Sequence, residues 1–127
     1  MSLLILVVDD EPDVELLFRQ QFRRDLRAGR FDMEFAQSAP AALQRITDAA
    51  GVSLILILSD INMPGMSGLD LLKEIKRKYE NPPPIVMMIT AYGDAENYNS
   101  AMSLGADDFL TKPLDFSILK EKLKNLN

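Results

Sequence analysis

The sequence predicts an α/β fold in which a parallel sheet is covered by helices on both faces. Three runs of consecutive apolar residues, 3–8, 54–58 and 85–89, lack polar alternation and therefore suit central strands that are buried on both faces. Two mixed segments, 31–36 and 107–111, suit strands with one solvated side. A segment with apolar residues at helical spacing follows each of the five, which predicts alternating strands and helices and hence parallel pairing.

The length and composition are those of one compact domain, residues 1–127. Apolar residues make up 47% of the chain, and its longest apolar run falls far short of the roughly 20 residues of a membrane span. No basic segment precedes that run as in a secretory signal, so we expect a cytoplasmic protein without membrane contact. The net charge of -5 argues against direct nucleic-acid binding, and the absence of cysteine and histidine excludes thiol catalysis, imidazole bases and the usual zinc ligands.

The first half of the chain predicts two strands and two helices. After the strand 3–8, Pro12 suits the opening position of a helix, and Gly29 suits its stop. The residues of this helix predicted to face the core are Val14, Leu17, Phe18, Phe22 and Leu26. The segment 31–36 predicts an edge strand. Ser38 can cap the helix 38–49, and Gly51 is the predicted stop of this helix.

The second half predicts three more strand and helix pairs. After the strand 54–58, residues Leu69, Leu72, Ile75 and Tyr79 mark a third helix. The strand 85–89 precedes a weak helix, 95–104, that we expect to be mobile because it has little to bury besides Tyr98 and Met102. The strand 107–111 leads into a last helix, 115–126, with Phe116, Leu119 and Leu123 facing inward.

Five strands and five helices of this kind predict a doubly wound sheet with strand order 2-1-3-4-5. That order places the two mixed strands, the second and the fifth, at the edges. The six-stranded dinucleotide-binding order offers no natural place for a mixed fifth strand as the terminus. The expected architecture is therefore flavodoxin-like, (βα)5.

Chemically reactive side chains follow four of the predicted strands: Asp9 and Asp10, Asp60, Thr90, and Lys112. The carboxyl ends of parallel strands lie along one edge, and neighbouring strands are about 4.8 Å apart, so at least two acidic groups must meet. Such a cluster would raise a carboxyl pKa unless a cation intervenes, and oxygen ligands suit Mg²⁺. With Mg²⁺ and Lys112 to neutralise an incoming phosphoryl group, Asp60 could act as an oxygen nucleophile and become phosphorylated.

Judged by these residues and the motifs around them, the chain resembles the response-regulator receiver domains of two-component signalling. The resemblance covers essentially the whole chain. In that family an acidic pair follows the first strand, matching Asp9 and Asp10. The accepting aspartate opens an Asp-x-x-Met-Pro-x-x-x-Gly segment, matching residues 60–68. The fourth strand ends in Thr-Ala and the fifth in Lys-Pro, matching residues 90–91 and 112–113. Four motifs in order, at the ends of the first, third, fourth and fifth strands, make the resemblance specific.

The resemblance implies a metal site and a phosphoacceptor. Asp60 resembles the phosphoacceptor, and Asp10 and Asp60 resemble the direct Mg²⁺ ligands. Asp9 would support the ion largely through water, and the backbone carbonyl of Asn62 would complete the protein ligands. Asn62 and Tyr92 resemble the variable positions that tune hydrolysis of the phosphoryl group.

The resemblance also implies a conformational switch. Thr90 resembles the hydroxyl that turns inward to bond the phosphoryl oxygen, Lys112 the cation that pairs with it, and Phe109 the aromatic that packs inward when Thr90 moves. The Lys112-Pro113 bond is cis in relatives. The fourth helix, fifth strand and fifth helix would form the output face.

Simpler interpretations exist for each of these residues taken alone. Asp9 and Asp10 could be acids at a helix start, Thr90 a strand-end hydroxyl, Lys112 a surface lysine and Phe109 simple packing. Arginines cluster along the first helix and its exit, where a solvated face is favoured slightly over a docking surface for a kinase: Arg19, Arg23, Arg24, Arg27 and Arg30.

Three other functions compete with the receiver hypothesis. A phosphohydrolase of the haloacid-dehalogenase type would need an aspartate where this chain has Asn62. A flavin or nucleotide carrier would need a glycine-rich phosphate loop where this chain has the acidic residues 9–11. A degenerate receiver used only for contacts is disfavoured because every phosphorylation residue is present.

The sequence therefore predicts a phosphoacceptor rather than an enzyme acting on external substrates. Its partners would be a histidine kinase or phosphotransfer protein and a downstream output protein or effector domain. A homodimer through the output face is possible but not indicated, since no arginine follows Lys112 in the last helix.

Overall fold

A computed structural model describes residues 2–49, 53–79, 83–91 and 94–125. The five strands are β1 (Ser2–Val8), β2 (Asp32–Ala36), β3 (Ser53–Asp60), β4 (Ile85–Ala91) and β5 (Asp108–Lys112). In the described residues the helices are α1 (Asp13–Gln21), α2 (Arg23–Arg27), α3 (Ala39–Ala49), α4 (Gly68–Lys78), α5 (Ala95–Ser103) and α6 (Phe116–Lys124). None of these helices has the length and apolar composition needed to cross a bilayer.

The strands form one parallel sheet in the order β2-β1-β3-β4-β5, which confirms the predicted topology. The two mixed strands, β2 and β5, lie at its edges as expected. The three apolar strands lie between them, where side chains on both faces are removed from water.

Two separate cores form on the two faces of the sheet. Helices α3, α4 and α5 cover one face, and the small side chains Ala39, Ala42 and Ala101 bring α3 and α5 close to it. Helices α1 and α6 cover the other face, which we call the aromatic face because five phenylalanines pack there: Phe18, Phe22, Phe31, Phe35 and Phe116. Their ring centroids are 5.1 to 6.3 Å apart, mostly edge to face.

The first helix was wrongly predicted to be continuous. The chain leaves helical geometry at Phe22, whose φ of -107° and ψ of 17° separate α1 from α2. No glycine or proline causes this break. The Phe22 side chain is buried against Phe18, Phe31 and Phe116, so tertiary packing overrides local helix propensity at this position.

Several apolar side chains predicted to be buried are exposed. Leu17 is 44% exposed because only a narrow stripe of α1, centred on Phe18, faces the sheet. Leu54, at the start of β3, is 46% exposed beyond the part of the strand that the helices cover. On α5 the inward residue is Ala101, whereas Tyr98 and Met102 lie at the surface.

The helix starts agree with the sequence where a side chain caps them. Ser38 Oγ accepts a hydrogen bond from the Ala41 N–H at 3.2 Å, as predicted for α3. Asp115 caps α6 by accepting hydrogen bonds from Ser117 and Ile118. The predicted helix stop at Gly51 lies outside the described residues.

Candidate functional site

The carboxyl end of the sheet brings three acidic side chains together. Asp60 is the last residue of β3, and Asp9 and Asp10 follow β1, the neighbouring strand. One carboxylate oxygen from each of the three lies within 4.8 Å of the others. The predicted meeting of acidic groups from the first and third strands is therefore confirmed.

Lys112 lies between two of these carboxylates. Its Nζ is 3.4 Å from Asp60 Oδ2 and 3.4 Å from Asp9 Oδ2. Asp9 and Asp60 are nearly buried, while Asp10 is more exposed. Lys112 is the last residue of β5, which is separated from β3 by β4. Its long side chain reaches the acidic cluster across the end of β4.

Burial and charge perturb both members of the Asp60–Lys112 pair. Burial raises the pKa of the Asp60 carboxyl above its usual value; Lys112 opposes this shift and Asp9 adds to it. Burial alone would lower the pKa of the Lys112 ammonium, but the nearby carboxylates of Asp60 and Asp9 outweigh it, so the pKa is raised. The site thus holds an excess of negative charge that a single lysine does not fully compensate.

The three carboxylates suit a hard divalent cation. They provide oxygen ligands from two adjacent strand ends, and the exposed position of Asp10 leaves room for water. Burial, the main cause of the raised pKa of Asp60, disfavours its ionised form, and a bound cation would stabilise that form. Asp9, Asp10 and Asp60 therefore fit Mg²⁺. Asn62, whose backbone carbonyl was predicted as a further ligand, lies two residues beyond Asp60 in the loop before α4, and its side chain is exposed.

The backbone of Asp60 is fixed from several sides. The Ile61 N–H donates to the Ile89 carbonyl at 3.1 Å, and the Ile61 carbonyl accepts from the Gly68 N–H at 2.8 Å. A Cβ atom at Gly68 would lie 2.1 Å from the Asp60 carbonyl oxygen, so only glycine allows this approach. The buried Ser59 hydroxyl donates to the same carbonyl oxygen at 3.0 Å. The sequence indicated the glycine as part of a motif but gave no sign of this close approach.

Thr90 lies beside the acidic cluster on β4. The Cα of the preceding residue, Ile89, pairs with that of Asp60 in the β3–β4 register. Thr90 is fully buried, and its hydroxyl has no hydrogen-bond partner in the described part of the chain. A buried hydroxyl without a partner is costly, so this group is available to a new acceptor at the site.

Phe109 lies on β5 and is packed partly against the core formed with α3, α4 and α5. Its ring meets the ring of Tyr98 on α5, a contact that the sequence did not indicate. The Lys112-Pro113 peptide bond is cis, as the resemblance implied. Tyr92, predicted to tune hydrolysis, lies outside the described residues.

Two of the arginines considered as a docking surface are already engaged within the chain. Arg19 contacts Glu15 at 3.0 Å and lies over the Phe35 ring, and Arg30 pairs with Asp25. These contacts agree with the interpretation of this region as a solvated face, while leaving the docking hypothesis untested.

Comparison with known proteins points to a single family. The sequence profile of the response regulator receiver domain matches residues 5–124. The transcriptional regulatory protein CpxR homologue of Haemophilus influenzae is 40% identical over 124 residues, which cover 98% of this chain and 49% of that protein. The chain spans only 24% and 29% of two other curated relatives.

Solved structures agree with this match. A response regulator receiver domain protein from Clostridium thermocellum has a TM-score of 0.82 at 28% identity, with 98% of this chain and 93% of that one covered. The receiver domain of Saccharomyces cerevisiae Ssk1, crystallised with the histidine phosphotransfer protein Ypd1, shares the fold with a TM-score of 0.78 at 21% identity, covering 95% of this chain and 86% of that one.

Proposed function

Because the chain belongs to the response regulator receiver domain family, we propose that it accepts a phosphoryl group on Asp60 from the phosphohistidine of a kinase or phosphotransfer partner. The observation that carries this proposal is the position of Asp60. It is an almost buried carboxylate at a strand end, within 3.4 Å of the Lys112 ammonium and beside two further carboxylates. A hydrolase of the haloacid-dehalogenase type would need an aspartate where this chain has Asn62, and a nucleotide carrier would need a glycine-rich loop where it has the acidic residues 9–11.

In the proposed transfer, an Asp60 oxygen attacks the phosphorus atom and displaces the donor imidazole. A phosphorus–oxygen bond forms, the phosphorus–nitrogen bond breaks, and the imidazole nitrogen keeps the electron pair and takes a proton from water. A bound Mg²⁺ would screen the carboxylates from the incoming phosphoryl charge. Slow hydrolysis follows when water attacks the same phosphorus and releases phosphate, which restores the Asp60 carboxylate.

The residues around Asp60 have distinct parts in this proposal. Lys112 would pair with a phosphoryl oxygen, since its ammonium already lies between Asp9 and Asp60. Thr90 would donate its unpartnered hydroxyl to another phosphoryl oxygen. Asp9 and Asp10, with Asp60 and the Asn62 carbonyl, would hold the metal.

The output would be a rearrangement of α5, β5 and α6, which correspond to the fourth helix, fifth strand and fifth helix of the sequence prediction. This face includes Phe109 and adjoins both Thr90 and Lys112 along the chain. A downstream protein or an effector domain would read the change. A cytoplasmic location is part of the same proposal.

The test is incubation with acetyl phosphate and Mg²⁺, followed by intact mass measurement. Wild type should gain one phosphoryl group, about 80 Da, that is lost without Mg²⁺ and in Asp60→Ala. Asp48→Ala is the matched control, because Asp48 is an exposed carboxylate on α3 that accepts a hydrogen bond from Gln44.

An adduct that persists in Asp60→Ala would overturn the assignment. Wild type without an adduct is then tested with beryllium fluoride and Mg²⁺, which mimic the phosphoryl group without needing a transfer reaction. Failure of wild type to bind this complex would favour a receiver used only for protein contacts.

A further inference from the structure

Phe109 and Tyr98 form an edge-to-face aromatic pair between β5 and α5. Their ring centroids are 5.0 Å apart and their planes are inclined by 81°. Phe109 is partly buried against the core, whereas Tyr98, in the first turn of α5, is 45% exposed. The pair therefore connects a half-buried side chain of the edge strand β5 to the protein surface.

Phe109 and Thr90 lie on the same face of the sheet. In the β4–β5 register the Cα of Met88 pairs with that of Phe109, and the Cα of Thr90 with that of Thr111. Residues two apart on a strand point to the same side, so Phe109 is the diagonal neighbour of Thr90 across the two strands. Movement of the buried Thr90 side chain would leave space that Phe109 is placed to fill.

In the position that the structure describes, which we call the resting position, Phe109 has one aromatic partner among the described residues, and that partner is Tyr98. Because Tyr98 is 45% exposed and Phe109 is packed partly against the core, we expect an inward movement of the Phe109 ring to take it away from the Tyr98 ring. Edge-to-face pairs stabilise the conformation that contains them beyond the burial of their surfaces.

We propose that Tyr98 is a positioning residue that holds Phe109 in the resting state and so opposes the switch. This inference rests on the proposed phosphoacceptor function. Tyr98 touches neither the phosphoryl group nor the metal in this scheme, and it acts only through the Phe109 ring. Its release on switching also changes the surface at the start of α5.

Tyr98→Ala should therefore favour the switched state. We expect it to bind beryllium fluoride with Mg²⁺ about 2- to 12-fold more tightly than wild type, the range given by the usual strength of an aromatic pair. Tyr98→Phe keeps the ring and should bind like wild type. Met102→Ala is the matched control, because Met102 is also exposed on α5 but has no ring to pack on Phe109.

A double-mutant cycle separates this role from a general effect on α5. In a Phe109→Ala background, Tyr98→Ala should leave the affinity unchanged, because the partner of the Tyr98 ring is gone. An equal gain in both backgrounds, or no gain in wild-type background, would overturn the proposal.

A measurement on metal-free protein tests the role of Tyr98 independently of the proposed phosphoacceptor function. In metal-free protein, the nuclear Overhauser effect between the Thr90 methyl group and the Phe109 ring reports how far the ring lies inward. It should strengthen in Tyr98→Ala and stay at its wild-type value in Tyr98→Phe. An unchanged signal in Tyr98→Ala would refute the positioning role even if wild type accepts phosphate, whereas failure of wild type to bind beryllium fluoride would refute only the function.

Discussion

Burial of Asp60 disfavours the ionised carboxylate that the proposed phosphoryl transfer requires. Its carboxyl pKa is raised in the folded protein, so the fold binds the proton more tightly than the unfolded chain does. Between the usual aspartate pKa of about 3.9 and the raised value, the free energy of unfolding therefore falls as the pH rises. At neutral pH the ionised Asp60 destabilises the metal-free protein.

Asp60→Asn should accordingly be more stable than wild type at pH 7 in the presence of EDTA, and the difference should shrink as the pH approaches 4. Urea unfolding at both pH values measures it. Asp48→Asn, at an exposed position on α3, should show no such pH-dependent gain. A wild type that is the more stable protein at pH 7 would contradict the net effect of burial over the Lys112 contact.

A second prediction at the residue scale concerns the substitution of Gly68. Gly68→Ala places a Cβ against the Asp60 carbonyl oxygen, and the backbone on one side must move. We expect the free energy of unfolding to fall by about 1–3 kcal/mol and phosphorylation of Asp60 to slow strongly. Denaturant unfolding and the acetyl phosphate assay provide the two measurements.

Gly29→Ala separates backbone strain from this effect on the site. Gly29 has a φ of 69° but open space around it, far along the chain from Asp60. Alanine there should cost roughly 1–2 kcal/mol of stability without changing phosphorylation. Equal phosphorylation by both variants would show that Gly68 does not position Asp60.

At the scale of elements, α4 begins with a reciprocal cap directly after the loop that follows Asp60. Ser67 Oγ accepts from the Asp70 N–H at 3.2 Å, and the Asp70 carboxylate accepts from the Ser67 N–H at 3.2 Å. Ser67→Ala should lower the free energy of unfolding by about 0.5–2 kcal/mol, as measured by urea unfolding. Ser103→Ala, at the exposed end of α5, should change it much less.

The strands could be predicted more completely than the helices because their signal is local. Apolar runs such as 54–58 specify central strands, and the order of the sheet follows from which strands are mixed. The break at Phe22 could not be predicted, because it depends on the rings of Phe31 and Phe116, which are distant in sequence. Likewise, Leu17 carries no local sign that α1 covers the sheet only along a narrow stripe.

In the candidate site, too, some features could be predicted from local sequence patterns and others depend on tertiary packing. Asp9, Asp10, Asp60 and Lys112 could be brought together from the sequence because strand ends share one edge of the sheet. The contact between Tyr98 and Phe109 could not, since it depends on how α5 lies across β5. Tertiary packing, which no short pattern encodes, decides this part of the structure.

At the scale of the whole molecule, the aromatic face should contribute stability without participating in the chemistry. Phe22 is buried among three other phenylalanine rings on the side of α1 and α6. Phe22→Leu should lower the free energy of unfolding by about 1–3 kcal/mol through lost contacts and a cavity. Well below the unfolding temperature, the rate of Asp60 phosphorylation should stay at the wild-type value; a slower rate would show that this face is coupled to the site.

The helices α1 and α5 pack differently on the two faces of the sheet, so the two faces should respond differently to a displacement. On the aromatic face α1 buries Phe18 among other phenylalanine rings, whereas on the opposite face α5 buries the small side chain of Ala101. A helix that buries mainly a small side chain loses less packing when it shifts than a helix that buries a large ring, and Phe109 lies on the same face of the sheet as α5. We therefore expect a displacement that starts at the carboxyl edge of the sheet to move α5 further than α1.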